Sequence, residues 1–226
     1  MAATSLLLTV NEPRANAVAA QPVIRKPAAL RAGSVIALIA PGSPIPDARI
    51  EQAIKSMNNL GLKVREGRNI REKYGYLAGS DEQRLADLHW AFSDPEIEAV
   101  WCLRGGYGCG RLLPKIDFDL IARNPKIFIG YSDITALHLA IHRMTGLVCF
   151  HGPVAASEYP DNTVEHVKAV LMNATAPYSL AIPDDAETLP SEDYKPLVIT
   201  AGSAKGILTG GNLSLLAALA GTPWMP

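Results

Sequence analysis

The chain has few cysteines, almost no net charge and no long apolar run, and each shortage excludes a class of protein. Three cysteines in 226 residues are too few and too scattered for a disulfide framework. A formal net charge of −1 gives no indication of a nucleic acid or an anionic membrane as a partner. No uninterrupted apolar run approaches the roughly 18 residues that a membrane-spanning helix needs. With 48 % hydrophobic and 19 % charged residues, the composition is typical of a soluble globular protein.

The spacing of metal ligands is also missing. His138 and His142 are four residues apart, but no further ligands support them, so we expect neither a metal site nor a cofactor. Cys102 and Cys149 lie inside apolar, strand-like runs and are predicted to be buried. Cys109 lies in a loop instead, and its interpretation as a reactive thiol stays open.

Residues 1–33 predict a flexible leader. Small residues at Ala17, Ala19 and Ala20 form a pattern that a signal-peptide cleavage site could use. However, the segment has no basic region at its start, and its one apolar run, Leu6–Val10, is short. We therefore expect a cytoplasmic protein whose first residues are flexible, with export as the alternative.

From Ser34 to residue 176, short apolar runs alternate with helical patterns. Strands are predicted in SVIALIAP, LKVREG, IEAVWCL, KIFIGY and LVCF. Helices are predicted at 48–60, after the capping-box pair Ser80 and Gln83, at 118–123, from Asp133 and at 163–172. This alternation predicts an α/β fold of Rossmann-like or flavodoxin-like type, with a mostly parallel sheet covered by helices on both faces.

Residues 177–226 have a different composition, richer in proline and in acidic side chains. They are not a plain strand–helix–strand unit. We interpret them as a linker and the start of an inter-domain region, ending in a helix at about 212–220.

Four loops follow predicted strands and should therefore lie at one edge of the sheet. They are APGSP (40–44), RGGYGCGR (104–111), GYSD (130–133) and HGP (151–153). In open parallel sheets, ligands bind outside the carboxyl ends of the strands. The sequence therefore predicts that Ser132 lies at the functional edge.

Ser132 itself has two interpretations. Serine is a preferred helix N-cap, because its side-chain oxygen accepts hydrogen bonds from the first-turn N–H groups. A serine at a tight strand-to-helix turn is also typical of a nucleophile, with backbone N–H donors beside its hydroxyl.

The glycine-rich loop at 104–111 has three interpretations. Its N–H groups could bind a phosphate, its glycines could serve only the tight turn, or one N–H could join that of Asp133 to stabilise an oxyanion. A nucleophilic serine also needs a base. Of the five histidines only His151 lies at the predicted edge, and a non-catalytic role is favoured for it. No Ser–His–Asp arrangement is complete among these residues.

Five segments carry a family resemblance, in order and from about Val35 to the last residue: VIALIAPGSP, AVWCLRGGYGCGRLLPKIDFDLI, NPKIFIGYSDITALHLAI, CFHGP and GILTGGNLSLLAALAGTP. Together they resemble the LD-carboxypeptidase family of serine peptidases, which includes murein tetrapeptide carboxypeptidases and microcin C immunity hydrolases. The resemblance implies that Ser132 is the nucleophile of a Ser–Glu–His triad and that the N–H groups of Asp133 and Gly106 form the oxyanion hole. It further implies a substrate-binding set of Arg104, Gly105, Tyr107 and Tyr131.

In this family the glutamate and the histidine belong to a β-rich C-terminal domain that follows the TGGNLSLL segment. The present sequence stops at Pro226. We therefore expect the N-terminal domain with its linker, without the C-terminal catalytic domain, and residues 1–226 alone to be nearly inactive.

The resemblance implies a cytoplasmic, homodimeric serine carboxypeptidase that removes the terminal D-alanine from murein tetrapeptides in cell-wall recycling. It implies a muropeptide substrate and no metal or other cofactor. One alternative is an immunity-type hydrolase of peptidyl or aminoacyl nucleotides. Another is a non-catalytic α/β module that binds a phosphate or a carboxylate.

Overall fold

Five short parallel strands carry most of the apolar runs noted above. In the computed structural model, residues 23–175, 177–179, 199–203 and 205–225 are described. The strands are β1 (Val35–Ile39), β2 (Lys63–Glu66), β3 (Ala99–Cys102), β4 (Ile127–Gly130) and β5 (Phe150–His151). They form one all-parallel sheet in the order β2-β1-β3-β4-β5. The prediction of an α/β fold with a parallel sheet is confirmed.

Helices cover both faces of the sheet. They are α1 (Asp47–Asn59), α2 (Asp81–Ser93), α3 (Phe118–Arg123), α4 (Thr135–Thr145), α5 (Asp161–Leu171) and α6 (Leu213–Leu219). Alternate strand residues point to opposite faces, so Ile36 and Leu38 pack with α1 and α5, whereas Ala37 and Ile39 pack with α2, α3 and α4. Complete burial of one such large aliphatic side chain stabilises the fold by about 1.5–3 kcal/mol.

The predicted capping box at the start of α2 is confirmed. The Gln83 N–H donates to Ser80 Oγ at 3.2 Å, and the Ser80 N–H donates to Gln83 Oε1 at 2.8 Å. These bonds satisfy backbone donors that the first helical turn otherwise leaves without a partner. The same helix turn carries Arg84, whose side chain is buried.

The segment at 147–150 and the start of α4 differ from prediction. The predicted strand LVCF contributes only Phe150 to β5, because Leu147 instead forms an isolated parallel bridge with Arg25. The helix expected from Asp133 begins at Thr135, after a 3₁₀ turn at Ser132–Ile134. Ser132 has a φ of 62°, a left-handed conformation that an α-helix does not accept.

The α/β domain extends beyond both of its predicted bounds. Residues 23–33 of the expected leader pack on it, since the Arg25 N–H donates to Gly146 O at 2.8 Å and Leu30 is buried. At the other end, α6 packs against the core next to α4, with Leu219 buried. The remainder of the expected leader, 1–22, and most of the predicted linker, 180–198, lie outside the described residues. None of the helices in the described ranges is long and apolar enough to cross a membrane.

Candidate active site

The loops after β1 and β3 meet where the strand order reverses. In doubly wound sheets, ligands usually bind at the carboxyl edge beside such a reversal of strand order. The Ser43 N–H donates to Gly105 O at 2.9 Å, and the Tyr107 N–H donates to Ser43 Oγ at 3.1 Å. The two loops thus form one backbone-bonded unit beside the end of β4, where Ser132 follows.

Ser132 lies on a strained turn between β4 and α4. Of the non-glycine residues in the described ranges, it alone has a positive φ. Such a conformation costs on the order of 1–3 kcal/mol and is concentrated at functional sites. Neither the 3₁₀ turn nor α4 has a side-chain cap at its start, where the capping positions are Tyr131 and Ile134. The geometry therefore favours the nucleophile interpretation of Ser132 over the N-cap interpretation.

Gly105 lies directly against this turn. A Cβ built on Gly105 would be 2.9 Å from Asp133 N, closer than Cβ atoms approach in proteins, and 3.0 Å from Ser132 Cβ, tighter than nearly all such contacts. A Cβ on Gly42 would in turn overlap the Gly105 carbonyl oxygen. The loops therefore approach backbone to backbone, and only glycine allows this packing. The Gly105 backbone therefore lies beside Asp133 N and the Ser132 side chain, with no side chain of its own between them.

The N–H groups of Gly106 and Asp133 are candidates for the oxyanion hole. No acceptor for either N–H is found among the described residues. Gly106 is half-buried and has a φ of 94°, so the conformational role of the glycines is also real. The positive φ supports the turn interpretation of the glycine-rich loop, whereas its oxyanion and phosphate interpretations stay predictions.

The Asp133 carboxylate has a role that sequence reasoning missed. Asp133 is only 4 % exposed, and its Oδ2 accepts a hydrogen bond from the Cys109 N–H at 2.9 Å. This bond connects the glycine-rich loop to the residue after Ser132. Cys109 itself is buried, and burial together with the neighbouring Asp133 raises the pKa of its thiol well above the usual value. Its interpretation as a reactive thiol is therefore wrong.

His151 lies beside Tyr131 at the end of β5. The two ring centroids are 6.5 Å apart in an edge-to-face arrangement. The described residues show no hydrogen bond between His151 and Ser132.

The remaining predicted substrate-binding residues lie next to Gly105, Gly106 and Ser132 in the chain, on loops at the carboxyl edge. Arg104 is exposed and donates to Pro44 O at 3.3 Å, while Tyr107 and Tyr131 are 73 % and 44 % exposed. Sequence reasoning overlooked the loop after β2, which opens at the same edge and places Tyr74 and Tyr76 at the surface. Its position after a strand was the signal that could have identified it.

A second missed feature is a buried arginine on α2. Arg84 is 1 % exposed and donates through Nη1 to the carbonyl oxygens of Pro41 and Gly108, the latter at 3.0 Å. Its Nη2 donates to Asp81 Oδ1 at 2.5 Å. Arg111 donates to both oxygens of Asp81 at 3.0 Å, and this interaction, followed by that of Arg84, holds the pKa of the Asp81 carboxyl below its usual value.

Histidines also line a cavity of about 820 Å³ between α4, α5 and β5. His138 is buried there, stacked edge-on against Phe128 with ring centroids 5.3 Å apart. Burial, followed by the charge of nearby His151, lowers the pKa of His138 to about 3. No group of three or more histidine, cysteine or acidic side chains is arranged to hold a metal ion within the described residues.

We expect His138 to make the protein less stable at mildly acidic pH. The unfolded chain takes up a proton at His138 below about pH 6.5, whereas the folded protein resists protonation down to about pH 3. Stability therefore falls as pH decreases through this window, by about 2 kcal/mol at pH 5. Urea unfolding of wild type and His138→Leu at pH 7.5 and pH 5.0 measures this contribution. Wild type should lose about 2 kcal/mol more than the variant. Equal losses would show that His138 is not the group responsible.

The structure is an α/β domain with a serine on a strained strand-to-helix turn at its carboxyl edge. Residues 36–152 match the family model described as the LD-carboxypeptidase N-terminal domain. The chain belongs to the LD-carboxypeptidase family.

Two relatives and one solved structure illustrate this membership. The chain is 44 % identical over 200 residues to a probable murein peptide carboxypeptidase of Bacillus subtilis, covering 88 % of this chain and 60 % of the relative. It is 43 % identical over 192 residues to the murein tetrapeptide carboxypeptidase of Pseudomonas aeruginosa, covering 83 % of this chain and 60 % of that relative. The structure of the microcin C7 self-immunity protein MccF in complex with aspartyl sulfamoyl adenosine matches with a TM-score of 0.77 at 29 % identity, over 91 % of this chain and 68 % of that one. The chain thus spans about 60 % of the length of these two carboxypeptidase relatives.

Proposed function

We propose that the protein is a serine-type LD-carboxypeptidase that removes the terminal D-alanine from murein tetrapeptides. The observation that carries the proposal is the strained Ser132 turn, against which Gly105 packs without an intervening side chain. The names of the Bacillus and Pseudomonas relatives support the reaction and the substrate class. The family resemblance is the basis for the identity of the substrate, the catalytic base and the leaving group.

In the proposed mechanism, Ser132 Oγ attacks the carbonyl carbon of the amide between an L-centre and D-alanine. A base, the histidine of the family's Ser–Glu–His triad, takes the Oγ proton and passes it to the amine of the departing D-alanine. Water then attacks the ester carbon, which releases the shortened peptide and restores the Ser132 hydroxyl. By the family resemblance, the glutamate and histidine of the triad belong to a C-terminal domain, whereas residues 36–152 match the family's N-terminal domain.

The N–H groups of Gly106 and Asp133 stabilise the oxyanion that forms in both steps. Such donors act most strongly when they are fixed before the reaction, because no reorganisation is then needed as charge develops. Arg104 provides a positive charge near the position of the terminal carboxylate of the substrate. The exposed rings of Tyr107 and Tyr131 and the Gly105 backbone complete the proposed peptide contacts.

A second candidate function is hydrolysis of aminoacyl or peptidyl nucleotide analogues. The likeness to the MccF complex with aspartyl sulfamoyl adenosine favours it. Assays of the complete gene product against a murein tetrapeptide and against aspartyl sulfamoyl adenosine separate the two. We expect D-alanine release to dominate. A preference for the adenosine compound would favour the immunity-type reaction, and binding without turnover of either compound would favour the non-catalytic module.

We further propose that the enzyme acts as a homodimer in the cytoplasm during cell-wall recycling, with no cofactor. The family resemblance supports this part of the proposal. Light scattering of the complete gene product tests the oligomeric state, and a monomer at micromolar concentration would overturn it.

A further inference from the structure

Arg84 has an unusual environment for a side chain that sequence patterns would place on a solvated helix. It lies in the first turn of α2, at the capping box, yet its guanidinium is almost fully buried. Removing a guanidinium from water costs several kcal/mol unless its N–H groups find partners. Here Asp81 and two backbone carbonyls accept from it, while no partner for Nε is found among the described residues.

The two carbonyls belong to different loops of the site. Pro41 lies in the loop after β1, next to Gly42, which packs on the Gly105 carbonyl. Gly108 lies in the loop after β3, two residues after the oxyanion candidate Gly106. A single nitrogen, Nη1, donates to both carbonyls, so it holds the loops after β1 and β3 at a fixed separation. Gly108 permits this contact because its φ is 113° and a Cβ there would be 3.0 Å from Nη1.

The peptide group between Gly108 and Cys109 is held from both sides. Its carbonyl oxygen accepts from Arg84, and its N–H donates to the Asp133 carboxylate. Rotation of this peptide plane would break both bonds. A continuous polar connection therefore runs from Arg84 through one peptide group to Asp133, whose own N–H is a proposed oxyanion donor.

We infer that Arg84 is a positioning residue for the oxyanion hole. It fixes the Gly108–Cys109 peptide so that the Gly106 and Asp133 N–H groups converge beside Ser132. The role rests on the proposed function, because it concerns donors that act on a tetrahedral intermediate at Ser132. Arg84 does not touch the substrate. Its removal should therefore weaken binding of the transition state more than binding of the substrate.

The test compares Arg84→Met and Arg84→Lys with the control Arg111→Met in the complete gene product. The Arg111 side chain binds the same carboxylate of Asp81 but bonds to neither loop carbonyl. The Arg111 backbone N–H also donates to Gly108 O, at 3.2 Å, and Arg111→Met keeps this bond. Three measurements are made on each protein: the rate of Ser132 labelling by a fluorophosphonate, kcat and KM for D-alanine release, and the inhibition constant of a phosphonate analogue of the tetrahedral intermediate.

We expect Arg84→Met to slow Ser132 labelling and to lower kcat by about 10²-fold. Binding of the phosphonate analogue should weaken by a similar factor, whereas KM should change by less than about threefold. Arg84→Lys keeps the charge opposite Asp81 but lacks the planar fork, so about a tenfold loss is expected. Arg111→Met should stay within about threefold of wild type in all three measurements, because Arg111 is 55 % exposed and Asp81 keeps Arg84 as a partner.

A purely structural role gives a different result. The inference would be overturned if Arg84→Met had a smaller fraction of molecules that react with the fluorophosphonate but an unchanged kcat per reactive molecule. Equal weakening of substrate binding and phosphonate binding would also overturn it. So would labelling of Arg84→Met at the wild-type rate. If Arg84→Met does not fold, the same three measurements on Arg84→Lys test the inference. A wild type that is labelled but releases no D-alanine would overturn the proposed reaction, while labelling would still test Arg84. Absence of labelling in wild type would overturn both.

Discussion

Ser132→Ala should lower kcat for D-alanine release by about 10⁴-fold or more and leave the melting temperature nearly unchanged. The substitution removes only the hydroxyl oxygen that would form the acyl-enzyme. The left-handed backbone at this position is equally strained for serine and alanine, so folding should be little affected.

Steady-state kinetics and thermal melting of the complete gene product measure these two effects. Ser157→Ala, in the loop after β5, is a matched control that should keep wild-type kinetics. If Ser132→Ala kept its turnover and instead lost about 1 kcal/mol of stability, Ser132 would be a helix cap and the nucleophile assignment would be wrong.

Gly105→Ala should lower kcat by about 10²–10³-fold, the loss typical of a missing oxyanion donor. The added methyl group would be 2.9 Å from Asp133 N and 3.1 Å from Tyr131 O, both of which are backbone atoms that cannot rotate away. The glycine-rich loop must therefore move from the Ser132 turn, and its N–H donors with it.

Gly110→Ala is the matched control in the same loop. Gly110 is exposed, its φ is not positive, and a Cβ there would meet no atom within 4 Å. Its kinetics should match those of wild type. Equal losses in the two variants would show that the loop responds to any added bulk, and no loss in Gly105→Ala would contradict the close approach to Ser132.

The strands and most helices could be predicted because their burial follows local periodicity. A continuous apolar run such as VIALI is typical of a strand buried on both faces, and the Ser80–Gln83 pair marks a helix start through short-range bonds. The grouping of four loops at one edge followed from the parallel topology alone. The sequence alone thus predicts that Ser132 lies at the carboxyl edge of the sheet.

The contacts that hold the site together could not be predicted in this way. Arg84 and Gly108 are 24 residues apart, and the acceptor is a backbone carbonyl, which every residue has. The buried carboxylate of Asp133 likewise bonds to an N–H 24 residues away. Cys109 is buried because this bond and the packing of its loop draw it inward, which its position between glycines does not indicate. Long-range packing decides all three cases.

The most direct test of the central claim is mass-spectrometric mapping of the complete gene product after reaction with a fluorophosphonate. We expect a single phosphonylated site, in the peptide that contains Ser132, and loss of D-alanine release in proportion to the labelled fraction. Labelling at another residue with Ser132 unmodified, or full D-alanine release from protein that is completely labelled at Ser132, would contradict the assignment of Ser132 as the nucleophile.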